Sequence, residues 1–448
     1  MHYGAPKETP DKGKRMQVIK HSIKYILTFV ITLLCLAGGL VLCAKIPQEA
    51  IKPKVQESAV YLCEGKLFGE LVKGVEGSKI DRYADSILLA IAYQYDDENP
   101  LTSVMWSSYY YSEYRNENQN LLDAVTFGHG PNQQYLRYWH GSNVIVRPLL
   151  LFFNIRQIYV LNGVVLAVLA ALLLAILVKN KAYVPAMAVV AGLVLTASWF
   201  VPFSLEYTWT YLIMLIGSIL GVKLALGNKR KFMGPFFLVG GMITNYMDFL
   251  TTETLTLLVP LLLILWLDMH HNTSTSASGL LKKAVSPVFA WGCGYAGMWG
   301  MKWIMASVIL KENVLPYVSG HIEERLGGDI GVGLWQYVTD AVLNNIKCLF
   351  PFEYGGPGLI CGSVLLLLVA YIGYVYHKKQ VCKERILIYV LLGLVPYIRY
   401  IVLHNHSYLH CFFTYRAQIA TILAIAFVLE EVTDWRWLIG ADTGKRKS

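Results

Sequence analysis

The sequence predicts an all-α membrane protein, a helical bundle of about ten spans, and three observations predict it. Of its 448 residues, 55% are hydrophobic and only 15% charged, with a mean hydropathy of +0.45. An average soluble domain is about 25% charged. The apolar residues are also blocked into runs close to the roughly 20 residues that a helix needs to cross a hydrocarbon core about 30 Å thick. Finally, the basic residues collect in alternate connections. A soluble enzyme, a disordered chain and a disulfide-stapled secreted domain are excluded.

The blocks place spans at 24–44, 157–178, 183–201, 208–226, 233–250, 254–269, 285–309, 358–376, 386–403 and 412–430. The chain then divides into a basic N-terminus (1–23), the first span (24–44), an outside loop with surface helices (45–156) and spans two to seven (157–309). A second long outside loop (310–357), spans eight to ten (358–430) and a C-terminal segment (431–448) complete it. With the N-terminus inside, Lys7 to Lys24, Lys179 and Lys181, Lys229 to Lys231, Lys282 and Lys283, Lys378 to Arg385, and Lys445 to Lys447 all face the cytoplasm. That is the arrangement the positive-inside rule expects. The expected location is therefore the plasma membrane, multi-pass, with both termini inside.

Basic residues precede the first span as in a signal peptide, but its apolar stretch runs from Tyr25 to Cys43 with no clean small-x-small site after it, so it reads as a retained anchor. The eight cysteines are scattered. Cys63, Cys348 and Cys411 fall outside, but no framework or metal-knuckle spacing connects them, and they read as packing residues. The cytoplasmic connections are short and basic. No GxxxxGK[ST] loop, no repeat of 20–50 residues and no pair of matching halves is present, which argues against an ATP-driven pump and a two-fold transporter.

Long loops usually carry function, which directs attention to the outside segments. From Asp81, DRYADSILLAIAY reads as a helix that starts polar and turns apolar, suited to lie at the membrane surface with Leu88, Leu89 and Ile91 dipping in. VIVRPLLLFF around Arg147 is a second short apolar stretch, broken by Pro148.

Charges within or beside spans are costly and mark sites. Lys302, between Trp299 and Trp303, is either a snorkelling lysine or a cation holding an anionic group. Arg416 and Arg399 lie in the outward parts of spans ten and nine, where guanidinium forks suit phosphate. An outer cavity of Lys302, Arg416 and Arg147 would bind one. Asp81 and Asp85, four apart, share a helical face, although Asp81 also reads as a helix cap. Asp248 and Glu253 bracket the outer end of span five, and Glu206 occupies an outer turn. His129, His140, His404, His406 and His410 cluster outside, and His406 and His410 could share a helical face. A divalent-metal site among the histidines stays an alternative, but no HExxH or HxxEH pattern supports it, and hydrogen bonding or phosphate contact is the stronger reading.

At these residues a family resemblance enters. YLRYWHGSNVIVRPLL (135–150) resembles the segment entering the second span of bacterial GT-C glycosyltransferases, among them protein O-mannosyltransferases and the aminoarabinose transferase of lipid A. DRYADSILL (81–89), NYMDFLT (245–251), MWGMKW (298–303) and NHSYLHCFFTYR (405–416) resemble motifs of uncharacterised bacterial proteins of this layout. The resemblance implies a GT-C-like bundle that takes a sugar from a polyprenyl-phosphate donor on the outer face. The sugar passes, with inversion, to an envelope glycan, lipid or protein. Asp85 or Asp81 would be the carboxylate base. Lys302 and Arg416, with Arg147 or Arg137 and His140, would hold the departing phosphate, with Asp248, His406 and His410 as further substrate contacts. The family's acidic motif follows span one closely, whereas Asp81 comes more than thirty residues after it. Either 45–78 is an insertion, or an earlier acid such as Glu57 or Glu64 is the base. No cofactor and no nucleic acid is implied; the donor lipid, its acceptor and the membrane are the expected partners.

Two other classes compete. A transporter or lipid flippase needs charges along a route to both faces, and the inner halves of the spans carry little beyond Lys223. A scaffold, or an acyl- or phosphotransferase of envelope polymers, would lack a lipid-accessible cavity or would need an acyl donor.

Overall fold

The computed structural model describes residues 12–248, 250–271, 277–326, 333–349 and 356–435. Lys7 and Lys445 to Lys447 lie outside the described residues. A helix stands at each of the ten expected segments: α1 (Lys12–Ala44), α7 (Ile155–Lys179), α8 (Tyr183–Leu195), α9 (Leu205–Leu226), α10 (Met233–Met247), α11 (Leu255–His271), α12 (Ala277–Leu310), α15 (Gly356–Val375), α16 (Lys383–Val402) and α19 (Ile419–Val432). The intervening segments are helical too: α2 (Gln48–Cys63), α3 (Arg82–Gln94), α4 (Pro100–Trp106), α5 (Glu117–Phe127), α6 (Asn143–Leu149), α13 (Leu315–Leu326), α14 (Leu334–Lys347), α17 (His404–Leu409) and α18 (Cys411–Thr414).

Among the described residues, six helices are long and apolar enough to cross a membrane: Ser22–Ala44, Ile155–Lys179, Leu205–Leu226, Gly356–Val375, Lys383–Val402 and Cys411–Val432. α8 has 13 residues and α10 has 15. At about 1.5 Å rise per residue they are shorter than a hydrocarbon core. The expected third span, 183–201, breaks where Ala197 takes a left-handed conformation (φ 49°) and a 3-10 turn, Ser198–Phe203, begins. The outward faces of the long helices are apolar: along α15, Ile360, Val364 and Leu365 to Leu368 are all exposed. Such a surface needs lipid to cover it.

Helix packing is closest between α10 and α12, where backbones approach. A Cβ on Gly241 would overlap the carbonyl of Trp291, and one on Gly294 that of Leu238. Small residues at crossings let helices pack closely without a hydrophobic drive from water. α9 packs on α11, and α16 and α8 pack on α19.

Segment 45–154 forms a cap over one end of the bundle. Within it, a two-stranded antiparallel ribbon, β1 (Phe68–Glu70) and β2 (Lys79–Asp81), pairs Phe68 with Asp81 and Glu70 with Lys79. The ribbon delivers Asp81 to the start of α3. α3 departs from the expected surface helix: Leu88, Leu89 and Ile91 are buried, and every residue from Asp85 to Tyr93 is enclosed. α2, α5, α6 and α9 cover its apolar face with protein in place of lipid. At the edge of the cap the stretch after α6 does expose its apolar residues, Leu151, Phe152 and Phe153. The second long connection is not a loop either, since α13 and α14 occupy most of its described part.

Candidate functional site

Where the cap meets the bundle, Asp81, Tyr83, Tyr135, Tyr138, His140, Glu206, His406, His410 and Phe413 enclose a cavity of about 80 Å³. Asp81 caps α3, one carboxylate oxygen accepting from the Ala84 N–H at 2.8 Å. That single donor does not offset burial, which pushes the carboxyl up to about 7. His140 sits in the left-handed conformation, φ 54°, which histidine adopts more readily than most residues. Its neighbour Gly141 donates its N–H to the Tyr246 carbonyl at 2.9 Å, and a Cβ there would overlap the Tyr246 ring. His140 Nε2 lies 2.9 Å from the Tyr135 carbonyl. A carbonyl only accepts, so Nε2 carries the proton. Burial, with the charges of Lys302 and Arg137, lowers His140 to about 3, so its ring is neutral at physiological pH. The rings of His406 and His410 lie 4.8 Å apart, with His410 stacked on Phe413 at 5.2 Å.

Tyr138 separates this cavity from a second, open groove of about 480 Å³ lined by Arg137, Glu253, Trp291, Tyr295, Trp299, Trp303 and Arg399. Four aromatic residues of α12, Trp291, Tyr295, Trp299 and Trp303, recur every fourth position and form a ladder with ring separations of 4.8, 5.4 and 5.9 Å. Arg137 lies over the rings of Tyr135 and Tyr138, at 4.3 and 5.4 Å. Its Nε is buried with no hydrogen-bond partner. Arg399 is ion-paired to Glu253 at 2.7 Å and donates to the Leu250 carbonyl.

The other expected site residues are elsewhere. Asp85 is fully buried and accepts from the Tyr159 hydroxyl, Ser204 Oγ at 3.2 Å and the Leu205 N–H at 2.9 Å, tying α3 to α7 and α9. Lys302 donates to the carbonyls of Val104 and Met105 at 2.9 and 3.0 Å, capping the last turn of α4. Arg147 donates to the carbonyls of Ala92, Ile46 and Tyr95. Arg416, between the rings of Tyr207 and Tyr415, donates to Gly77 O at 2.7 Å and Phe412 O at 3.2 Å. Asp248 accepts from the backbone and hydroxyl of Thr251 at the end of α10. Lys302, Arg147 and Arg416 therefore serve main-chain carbonyls and do not line the cavity. Arg416 still matters to the site, because its bond to Gly77 anchors the turn that leads into β2 and Asp81.

Glu206 stands in the sequence only as an acid of an outer turn, and nothing local marks the cavity's tyrosines. For the groove, the spacing of Trp291, Tyr295, Trp299 and Trp303 was the available signal. Lys302 is one residue, about 100°, from Trp303 on the helix. It therefore points into the cap while the ladder faces the groove.

Among the described residues no three His, Cys, Asp or Glu side chains are placed to hold a metal ion. Comparison of the chain with family models, curated proteins and solved structures gives no match.

Proposed function

We propose that the protein is a GT-C-like membrane glycosyltransferase that takes a sugar from a polyprenyl phosphate and passes it, with inversion, to an envelope acceptor. The observation that carries this reading is a buried carboxyl, Asp81, lining a small cavity that Tyr138 separates from an aromatic, open-sided groove. The groove suits a prenyl chain and the cavity a sugar hydroxyl. In this reading the bundle has ten spans, both termini are cytoplasmic and the cap faces outward from the plasma membrane.

Asp81 is the base: it takes the acceptor hydroxyl proton as the oxygen attacks the anomeric carbon. The bond from that carbon to phosphate breaks and the phosphate leaves with the electron pair. Arg137, with a donor to spare at the boundary of cavity and groove, meets the charge that develops there. The neutral ring of His140, with His406 and His410, orients hydroxyl groups. Asp85, Lys302, Arg147 and Arg416 hold the cap against the bundle. The transporter reading has less behind it, since Lys302, Arg147 and Arg416 are bound to main-chain carbonyls and Arg399 is paired with Glu253.

Purified protein in liposomes, given a polyprenyl-phosphate hexose and an acceptor glycan, tests the reading. Asp81→Asn should lower kcat by about 10²–10⁴-fold, the usual contribution of a general base, with the fold retained. Full turnover by Asp81→Asn would remove Asp81 from the chemistry. Absence of turnover with every polyprenyl donor, alongside net lipid translocation, would favour a flippase.

A further inference from the structure

Cys348 and Cys411 are far apart in the chain but meet in the fold. α14 is joined to the α17–α18 segment through Asn345. Its Nδ2 donates to the Ser407 carbonyl at 2.9 Å, its Oδ1 accepts from Thr414 Oγ1 at 2.6 Å, and its own carbonyl accepts from Gln418 Nε2 at 2.9 Å. Cys348 lies one helical turn after Asn345, and Cys411 one turn before Thr414. The register that pairs Asn345 with Thr414 therefore brings the two thiols face to face. They are in hydrogen-bonding contact, and both are buried in one cluster with Tyr415.

We propose that Cys348 and Cys411 form a disulfide in the mature protein, which staples the end of α14 to the α17–α18 segment that carries His406 and His410. The bond forms by exchange with a disulfide-bearing oxidant of the extracytoplasmic compartment. The Cys348–Cys411 bond is made, the oxidant's S–S bond breaks, and its two sulfurs leave as thiols with the two electrons and two protons. Burial raises the Cys348 thiol well above its ordinary range. Thiolate, the attacking form, is therefore scarce once α14 has docked, and the exchange belongs to the folding chain. The proposal goes beyond sugar transfer and depends only on segment 310–357 lying outside the membrane's cytoplasmic face.

The experiment is thiol counting on the full-length chain. Membranes are acid-quenched and denatured in N-ethylmaleimide, and the intact mass is measured with and without prior reduction. Of eight cysteines, all eight should react after reduction and two fewer without it. A cross-linked peptide should join Cys348 to Cys411. Cys348→Ser or Cys411→Ser should each leave the remaining partner reactive, so that every cysteine left in the chain is alkylated without reductant. Eight adducts on the unreduced wild-type chain overturn the proposal. A separate Tyr114→Cys chain, whose position is highly exposed in the cap, is probed in whole cells with a membrane-impermeant maleimide. Labelling there with eight wild-type adducts refutes the disulfide alone, whereas no labelling removes its topological basis as well.

Discussion

At the residue scale, Asp81 and Asp85 show how the same side chain, four positions apart, comes to different work. Asp85 meets three donors from two other helices, so its carboxyl is a joint. Asp81 meets one backbone donor and a cavity, which leaves it free to exchange a proton. Its upward shift to about 7 has a definite sign for activity. Below that pH the carboxyl is protonated and cannot accept a proton; above it the base form dominates. In liposome assays kcat/KM should rise about tenfold per pH unit on the acid side and level off above about pH 7. The Asp81→Asn chain should lack that limb. A profile in which wild type stays flat from about pH 5 to 8 would sink the assignment.

At the element scale, the site depends on how closely α10 and α12 approach, because α12 carries the aromatic ladder on one face and Lys302 on another. Lys302 fastens α12 to α4, and Trp139 Nε1 donates to the Met298 carbonyl at 2.8 Å on the same face. Gly241→Ala or Gly294→Ala would place a methyl group on a facing carbonyl. We expect each to destabilise the protein by about 1–3 kcal/mol, as overpacking does, visible as earlier thermal unfolding in detergent. Gly300→Ala, on α12 with nothing within 4 Å of its Cβ position, should unfold like the wild type. Equal stability of Gly241→Ala would mean that the two helices are not in backbone contact.

At the scale of the whole molecule, the cap and the basic connections lie at opposite ends of the bundle's helices, and charge decides which end stays inside. Near the connection after α9, Arg230 and Lys283 converge on Asp268 at 2.9 and 3.3 Å. The expected topology puts Tyr114 outside and Asn228 inside, and both are exposed. A cysteine replacing Tyr114 should react with an impermeant maleimide in intact cells above the wild-type background. One replacing Asn228 should react only after permeabilisation. The reverse pattern would invert the protein and place the cavity in the cytoplasm.

The helices were legible because lipid imposes a simple demand: apolar runs of sufficient length, with every backbone group bonded inside the helix. Local chemistry also announced Asp81 as a cap. Buried charges were legible as anomalies, but not their partners. A lysine in span seven does not reveal that it faces carbonyls of residues nearly two hundred positions earlier, and an amphipathic α3 does not reveal whether lipid or protein covers it. Composition and periodicity by themselves determined that this chain is a helical membrane protein. Only tertiary packing decided which acid faces a cavity, which cations serve the backbone, and which cysteines meet, because those outcomes depend on contacts between segments that carry no local signal of one another.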